Sequence, residues 1–293
     1  MAAGLGLGLI TVLCMVLAVG THPFVRKVTN TYWFWLVYGI IMLTLIIVFR
    51  WGLDIRDLIN YLCYHTPSPI GVDLGTMWSK ALLLDMCPMT AIVIHAAIIV
   101  DPTRRGAKLF APMATFGGMV TIFGQIILNG DPASAWTFQY IFVGVDANRA
   151  YFLIHFLNII TGLLVLLNVT KFNAKTYSLE YIVDALYFVY IGLAVYISDG
   201  VIYQNTTGVL IYDWSPAGEY HSVAKVLNCS PALTMLFGYT ACIIAINIFV
   251  GLQVLFQKAK AYQIPNVHNK EWYKGLNGWY KLEPYKCKCL RRI

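Results

Sequence analysis

Apolar residues run along this chain in blocks too long for a water-exposed fold, and short polar gaps separate them. A bilayer crossing takes roughly 20 apolar residues at about 1.5 Å each. Seven blocks reach that length, at about 2–20, 32–51, 78–100, 109–128, 149–169, 178–198 and 231–257. All seven are predicted to be helices, because a helix satisfies its own backbone polar groups in lipid. Pro88 and Pro112 interrupt two of them, and Pro88 frees the carbonyl of Leu84 one turn earlier. The expected fold is all-α: a polytopic seven-transmembrane-helix bundle over residues 1–257, then a basic tail over 258–293.

The polar gaps alternate in sign. Arg26 and Lys27, then Arg104, Arg105 and Lys108, then Lys171 and Lys175 mark one side, and the tail from Lys258 to Arg292 joins them. Asp54, Asp57, Asp73, Asp131, Asp146, Asp199, Asp213 and Glu219 mark the other. By the positive-inside rule the N-terminus lies outside and the C-terminus is cytoplasmic. No basic residue precedes the first block and two follow it, the reverse of a secretory signal, so it is read as a retained helix.

Composition points to the same solvent: 59% hydrophobic and 12% charged residues, with a mean hydropathy of +0.66, describe a multi-pass integral membrane protein, expected in the plasma membrane. The net charge of +7 then sits mostly on the cytoplasmic face, where anionic headgroups attract it. No nucleic-acid-binding motif accompanies the Lys and Arg residues, so nucleic acid is not expected as a partner. Among seven cysteines, Cys63 and Cys229 share the outer side, which leaves a bridge between them open. Cys287 and Cys289 lack the remaining ligands of a zinc set and a prenylation motif, so no metal is expected.

Polar side chains inside spans are costly and are functional candidates by default. Cys87 lies about 14 Å along the third block and His155 about 10 Å along the fifth, both in the outer half of the bilayer. Asn148, Tyr151, His155, Asn158 and Gly162 recur at spacings of three or four, a stripe expected to face the bundle. Lys80, Leu84, Cys87, Thr90 and Ala91 share a face of the third helix, where the freed Leu84 carbonyl is available to orient His155 or a water. Gln125 falls near the same level and is a candidate oxyanion donor. Asp85, around the helix from Cys87, is expected to pair with Arg149 or Lys80. A thiolate is a nucleophile, and a neighbouring imidazole takes its proton and returns it to a leaving group. The bland alternatives are a cysteine that only packs and a histidine that only bonds.

Leu82-Leu-Leu-Asp-Met-Cys87 and Phe152-Leu-Ile-His155-Phe resemble the two motifs of the YwaF-type bacterial membrane proteins and the transmembrane protein 164 acyltransferases, and more distantly the androgen-induced-gene type of fatty-ester hydrolases. The resemblance covers roughly residues 78–170, with Leu83, Asp85 and Phe156 departing from the common pattern. It implies acyl transfer between lipids without a soluble cofactor, with Cys87 as nucleophile and His155 as general base. Membrane phospholipids are the implied donors, and a lysolipid or a lipoprotein amine the acceptor. The other reading is a proton-coupled transporter or ligand-binding seven-helix protein. There His95 and Asp184 form an inner-half pair, Gln125 and Asn158 line a route, and Cys87 only packs.

Overall fold

The computed structural model describes residues 28, 31–67, 73–101, 105–129, 147–168, 174–198, 201–202, 211–216 and 221–263. The block at 2–20, Arg26, Lys27 and the tail beyond 263 lie outside these residues, as do the side chains of Gln125, Arg149 and Tyr151. The described residues are all-helical: α1 (Tyr32–Ile46), α2 (Gly52–Tyr64), α3 (Leu74–Ala81), α4 (Met86–Val100), α5 (Arg105–Asn129), α6 (Ala147–Asn168), α7 (Ala174–Ile197), α8 (His221–Leu227) and α9 (Pro231–Gln263). Among the described residues, four helical stretches are long and apolar enough to cross a membrane: Tyr32–Tyr64, Leu74–Val100, Ser178–Ile197 and Pro231–Ile248.

Two of these stretches depart from regular helices. α1 and α2 form one rod through a π-helical turn at Ile47–Trp51, so the helix expected to end near residue 51 continues to Tyr64. Asp54 and Asp57, read as loop residues, are therefore helical. Arg50 and Asp54 explain the continuation. One turn apart and buried, they form an ion pair at 3.0 Å, so each charge is neutralised inside the rod. Lys80 and Asp85 lie within electrostatic reach of Asp54.

The third block is not one kinked helix but two helices, α3 and α4, separated at residues 82–85. Lys80 is thereby detached from the Cys87 face. Pro88 falls at the third position of α4, inside the first turn, where a missing N–H breaks no helical bond.

α1, α4, α5 and α6 build the main core, with Trp35, Ile94, Ile98, Ala107, Ala111, Ala114, Leu164, Val165 and Leu166 buried together. α5 and α6 make the most extensive helix contact. Small residues let them approach: a side chain added at Gly118 would meet the His155 carbonyl at 2.6 Å, and one at Gly162 the Ala111 carbonyl at 2.7 Å. This is the small-residue packing that membrane helices use where lipid supplies no hydrophobic drive. α7 and α9 turn large apolar side chains outward, among them Leu186, Tyr196, Leu236 and Ile248. That surface suits lipid tails rather than water.

Candidate functional site

The site forms where α3 stops. Leu83 adopts a left-handed conformation, φ 56°, and the Leu84 and Leu83 amides donate to the Ser79 and Lys80 carbonyls at 2.9 and 3.1 Å. This is a Schellman cap carried by leucine where glycine is usual, so the turn stores backbone strain that its surroundings must hold. The surroundings are donors from other helices. Trp51 Nε1 donates to the Ala81 carbonyl at 2.9 Å, Tyr190 Oη to Leu82 at 2.7 Å, and Tyr187 Oη to Leu83 at 3.1 Å and Leu84 at 2.7 Å. Three donors thus cover the successive carbonyls from the end of the helix through the break, the Tyr187 hydroxyl being shared between Leu83 and Leu84. The Leu84 carbonyl, expected to orient His155 or a water, is instead held by Tyr187.

Removing the Tyr187 hydroxyl should loosen this break. Tyr187→Phe is expected to cost about 1–3 kcal/mol, the penalty of a buried acceptor left without a donor. Thermal melting in detergent measures it, and an unchanged melting temperature would argue against the assigned role.

α4 begins inside the bundle, and Cys87 is its second residue. Asp85 precedes the helix but its side chain makes no capping bond, and Pro88 has no N–H. The Met86 and Cys87 amides lie in this first turn, at the positive end of the helix dipole. Cys87 is half-buried. Its Sγ lies 3.7 Å from Thr121 Oγ1 on α5, within hydrogen-bond reach for sulfur.

α6 closes the other side. Asn158 Nδ2 donates to the Cys87 carbonyl at 3.1 Å, while its buried Oδ1 has no hydrogen-bond partner. His155, 3% exposed, stands one turn earlier on the same face. Gly117 and Gly118 of α5 lie against the Cys87 Sγ and the His155 carbonyl respectively. Asn158 thus reaches Cys87 across the α4–α6 contact, and His155 stands one helical turn from Asn158 on α6.

The inner-half pair expected of His95 and Asp184 is replaced by a relay. His95 Nδ1 bonds to the Ala91 carbonyl at 2.6 Å, its Nε2 meets Thr161 Oγ1 at 2.9 Å, and Tyr38 Oη meets Thr161 Oγ1 at 2.6 Å. Since a carbonyl only accepts, Nδ1 carries the proton. A neutral ring then accepts from Thr161, and Thr161 from Tyr38, so the whole chain is satisfied. Asp184 lies on α7, one turn from Glu180 and without His95.

The described cysteines Cys63, Cys87 and Cys229 are free, so the bridge left open between Cys63 and Cys229 is not formed. The described residues hold no cluster of three or more His, Cys, Asp or Glu that suits a metal ion. Sequence reasoning overlooked Trp51, Thr121, Tyr187, Tyr190 and the Arg50–Asp54 pair. Only the last had a legible signal, opposite charges four apart beside an apolar block.

A family model described as a family of unknown function, DUF5378, matches residues 9–277. The chain is a DUF5378 protein. It is similar to "Uncharacterized protein MG135" of Mycoplasma genitalium, 31% identical over 189 residues, which cover 62% of this chain and 66% of the relative. A second relative, "Uncharacterized protein MG135 homolog" of Mycoplasma pneumoniae, is 26% identical over 264 residues, 87% of this DUF5378 chain and 92% of the relative. No solved structure matches the chain.

Proposed function

We propose that this DUF5378 protein is a membrane-embedded acyltransferase, moving a fatty acyl chain from a phospholipid to a lysolipid or lipoprotein acceptor with Cys87 as nucleophile and His155 as general base. The observation that carries the reading is the position of Cys87 at the second residue of a helix that starts, without a side-chain cap, inside an apolar bundle. An α-helix N-terminus there supplies amide donors and a positive potential, which favour a thiolate and an ester oxyanion alike. The junction with Asn158 and the buried His155 supports the pair, and the resemblance to the YwaF and transmembrane protein 164 proteins agrees with it.

In this reading the Cys87 sulfur attacks the ester carbonyl of a phospholipid, and His155 takes the thiol proton. The C–O bond breaks, and His155 returns the proton to the departing lysophospholipid oxygen. An acceptor hydroxyl or amine then attacks the thioester carbonyl, His155 takes its proton, and the C–S bond breaks to restore the thiol. The Met86 and Cys87 amides face the oxyanion in both steps. The proposed architecture is a seven-span plasma-membrane protein, N-terminus outside and C-terminus cytoplasmic, which puts Cys87 in the outer half of the bilayer. That location favours lipid donors over a cytoplasmic thioester.

The test is acyl trapping. Protein in nanodiscs with labelled phospholipid, quenched in acid, should yield a Cys87 peptide carrying a hydroxylamine-labile acyl group by mass spectrometry. Its absence under turnover would sink the reading.

A second reading, a proton-coupled transporter, is favoured by one observation: Glu180, fully buried on α7, has no hydrogen-bond partner for either carboxylate oxygen. Asp184→Asn abolishing solute uptake, with Cys87→Ala harmless, would select it.

A further inference from the structure

α7 has two faces of opposite character. Ile182, Leu186, Val189 and Leu193 are exposed, whereas Glu180, Asp184 and Tyr187, at spacings of four and three, are buried on the inward face. Glu180 is 0% exposed, and neither Oε1 nor Oε2 meets a donor. Asp184, 9% exposed, is the ionisable neighbour one turn away. α9 packs against α7 through neutral groups, Asn247 donating to Tyr181 Oη and Tyr239 stacking near Phe188. α5 presents the buried Lys108, a cation that is itself engaged in an interaction.

Two carboxylates one turn apart in an apolar span repel each other and are cut off from water. Burial of either as an anion costs several kcal/mol unless a positive charge meets it. The pair is therefore neutral overall, held by protons or by a bound cation. Glu180, fully buried with neither oxygen meeting a donor, supplies two oxygens that such a cation could take as ligands.

We propose that Glu180 and Asp184 form an intramembrane site for a small monovalent cation of the sodium class, which exchanges with one proton. Without the cation each carboxyl carries a proton. On binding, Glu180 releases its proton to water and its two oxygens coordinate the ion, while Asp184 keeps its proton and donates it to a Glu180 oxygen. One cation enters and one proton leaves, so the site is neutral in both states. With the proton kept on Asp184 the pair carries one negative charge, which balances a monovalent ion. Tyr187, a further three positions along the same face, ties this site to the α3–α4 break, because its hydroxyl holds the Leu83 and Leu84 carbonyls.

The site is tested by binding, without turnover, so its failure is separable from failure of either functional reading. Full-length protein in detergent is moved from N-methylglucamine chloride to sodium chloride at constant ionic strength. The melting temperature should rise with saturation, and a pH dye in weak buffer should report about one proton released per ion bound. Glu180→Gln and Asp184→Asn should each remove both responses, and Cys87→Ala should keep them. A rise of equal size in N-methylglucamine and sodium, a sodium response that persists in the double variant, or a response confined to magnesium or calcium overturns the proposal. If the variants do not fold, the wild-type protein decides alone: sodium binding that releases no proton overturns it.

Discussion

Cys87→Ala is expected to lower lipid acyl transfer by on the order of 10³-fold or more, the scale on which a lone nucleophile's loss is felt when it acts as a unit with its base. The loss should appear in kcat, since the thiol forms a bond only in the chemical step, while phospholipid binding is unchanged. Fold damage should be small: the side chain is only half-buried, and its Sγ lies 3.7 Å from Thr121 Oγ1. A melting temperature near that of the parent protein would show this. His155→Gln should reduce the same rate without preventing alkylation of Cys87 by a small thiol reagent. An active Cys87→Ala variant ends the enzyme reading and leaves transport as the surviving one.

The second large effect falls on the helix contact that supports the site. Gly162→Val is expected to destabilise the bundle by about 3 kcal/mol or more, the upper end of overpacking costs. The added carbons would strike Thr115 Oγ1, the Ala111 carbonyl and the Thr115 amide nitrogen. Two of these are backbone, and no rotamer change moves them. α5 would have to slide off α6, and with it Thr121 from the Cys87 thiol and Gly118 from the His155 carbonyl. Loss of monodisperse protein in detergent, or a melting temperature lowered by several degrees, measures the effect. Gly192→Val is the matched control, because nothing lies within 4 Å of a side chain added there. Equal behaviour of the two variants would mean that the close α5–α6 approach does not carry the stability assigned to it.

Much of this was legible in the chain. Apolar blocks predicted helices that the structure contains at Arg105–Asn129, Ala147–Asn168, Ala174–Ile197 and Pro231–Gln263, with ends shifted by a few residues. The choice of Cys87, His155 and Asn158 rested on polar groups falling inside such blocks, and Asn158 does bond the Cys87 carbonyl. The error at the third block has a physical source. Leu82, Leu83 and Leu84 carry neither glycine nor proline, so nothing local announces a turn there. The turn exists because Tyr187, 103 positions from Leu84, and Trp51, 30 positions from Ala81, bring donors to carbonyls that a helix end leaves open. The His95–Asp184 pairing failed in the same way. A nearer hydroxyl, Thr161 on another helix, took the ring nitrogen first.

By itself the sequence determined the solvent and the local backbone of this protein. In lipid a helix satisfies its own hydrogen bonds, so a long apolar block needs no partner to be helical, and a polar residue inside it stands out at once. Tertiary structure alone decided where a span is broken, which charges neutralise each other and which polar groups meet. Each of those outcomes depends on donors and acceptors brought together from distant positions, and in a bundle of similar apolar helices only the packing of small residues such as Gly118 and Gly162 says which faces touch.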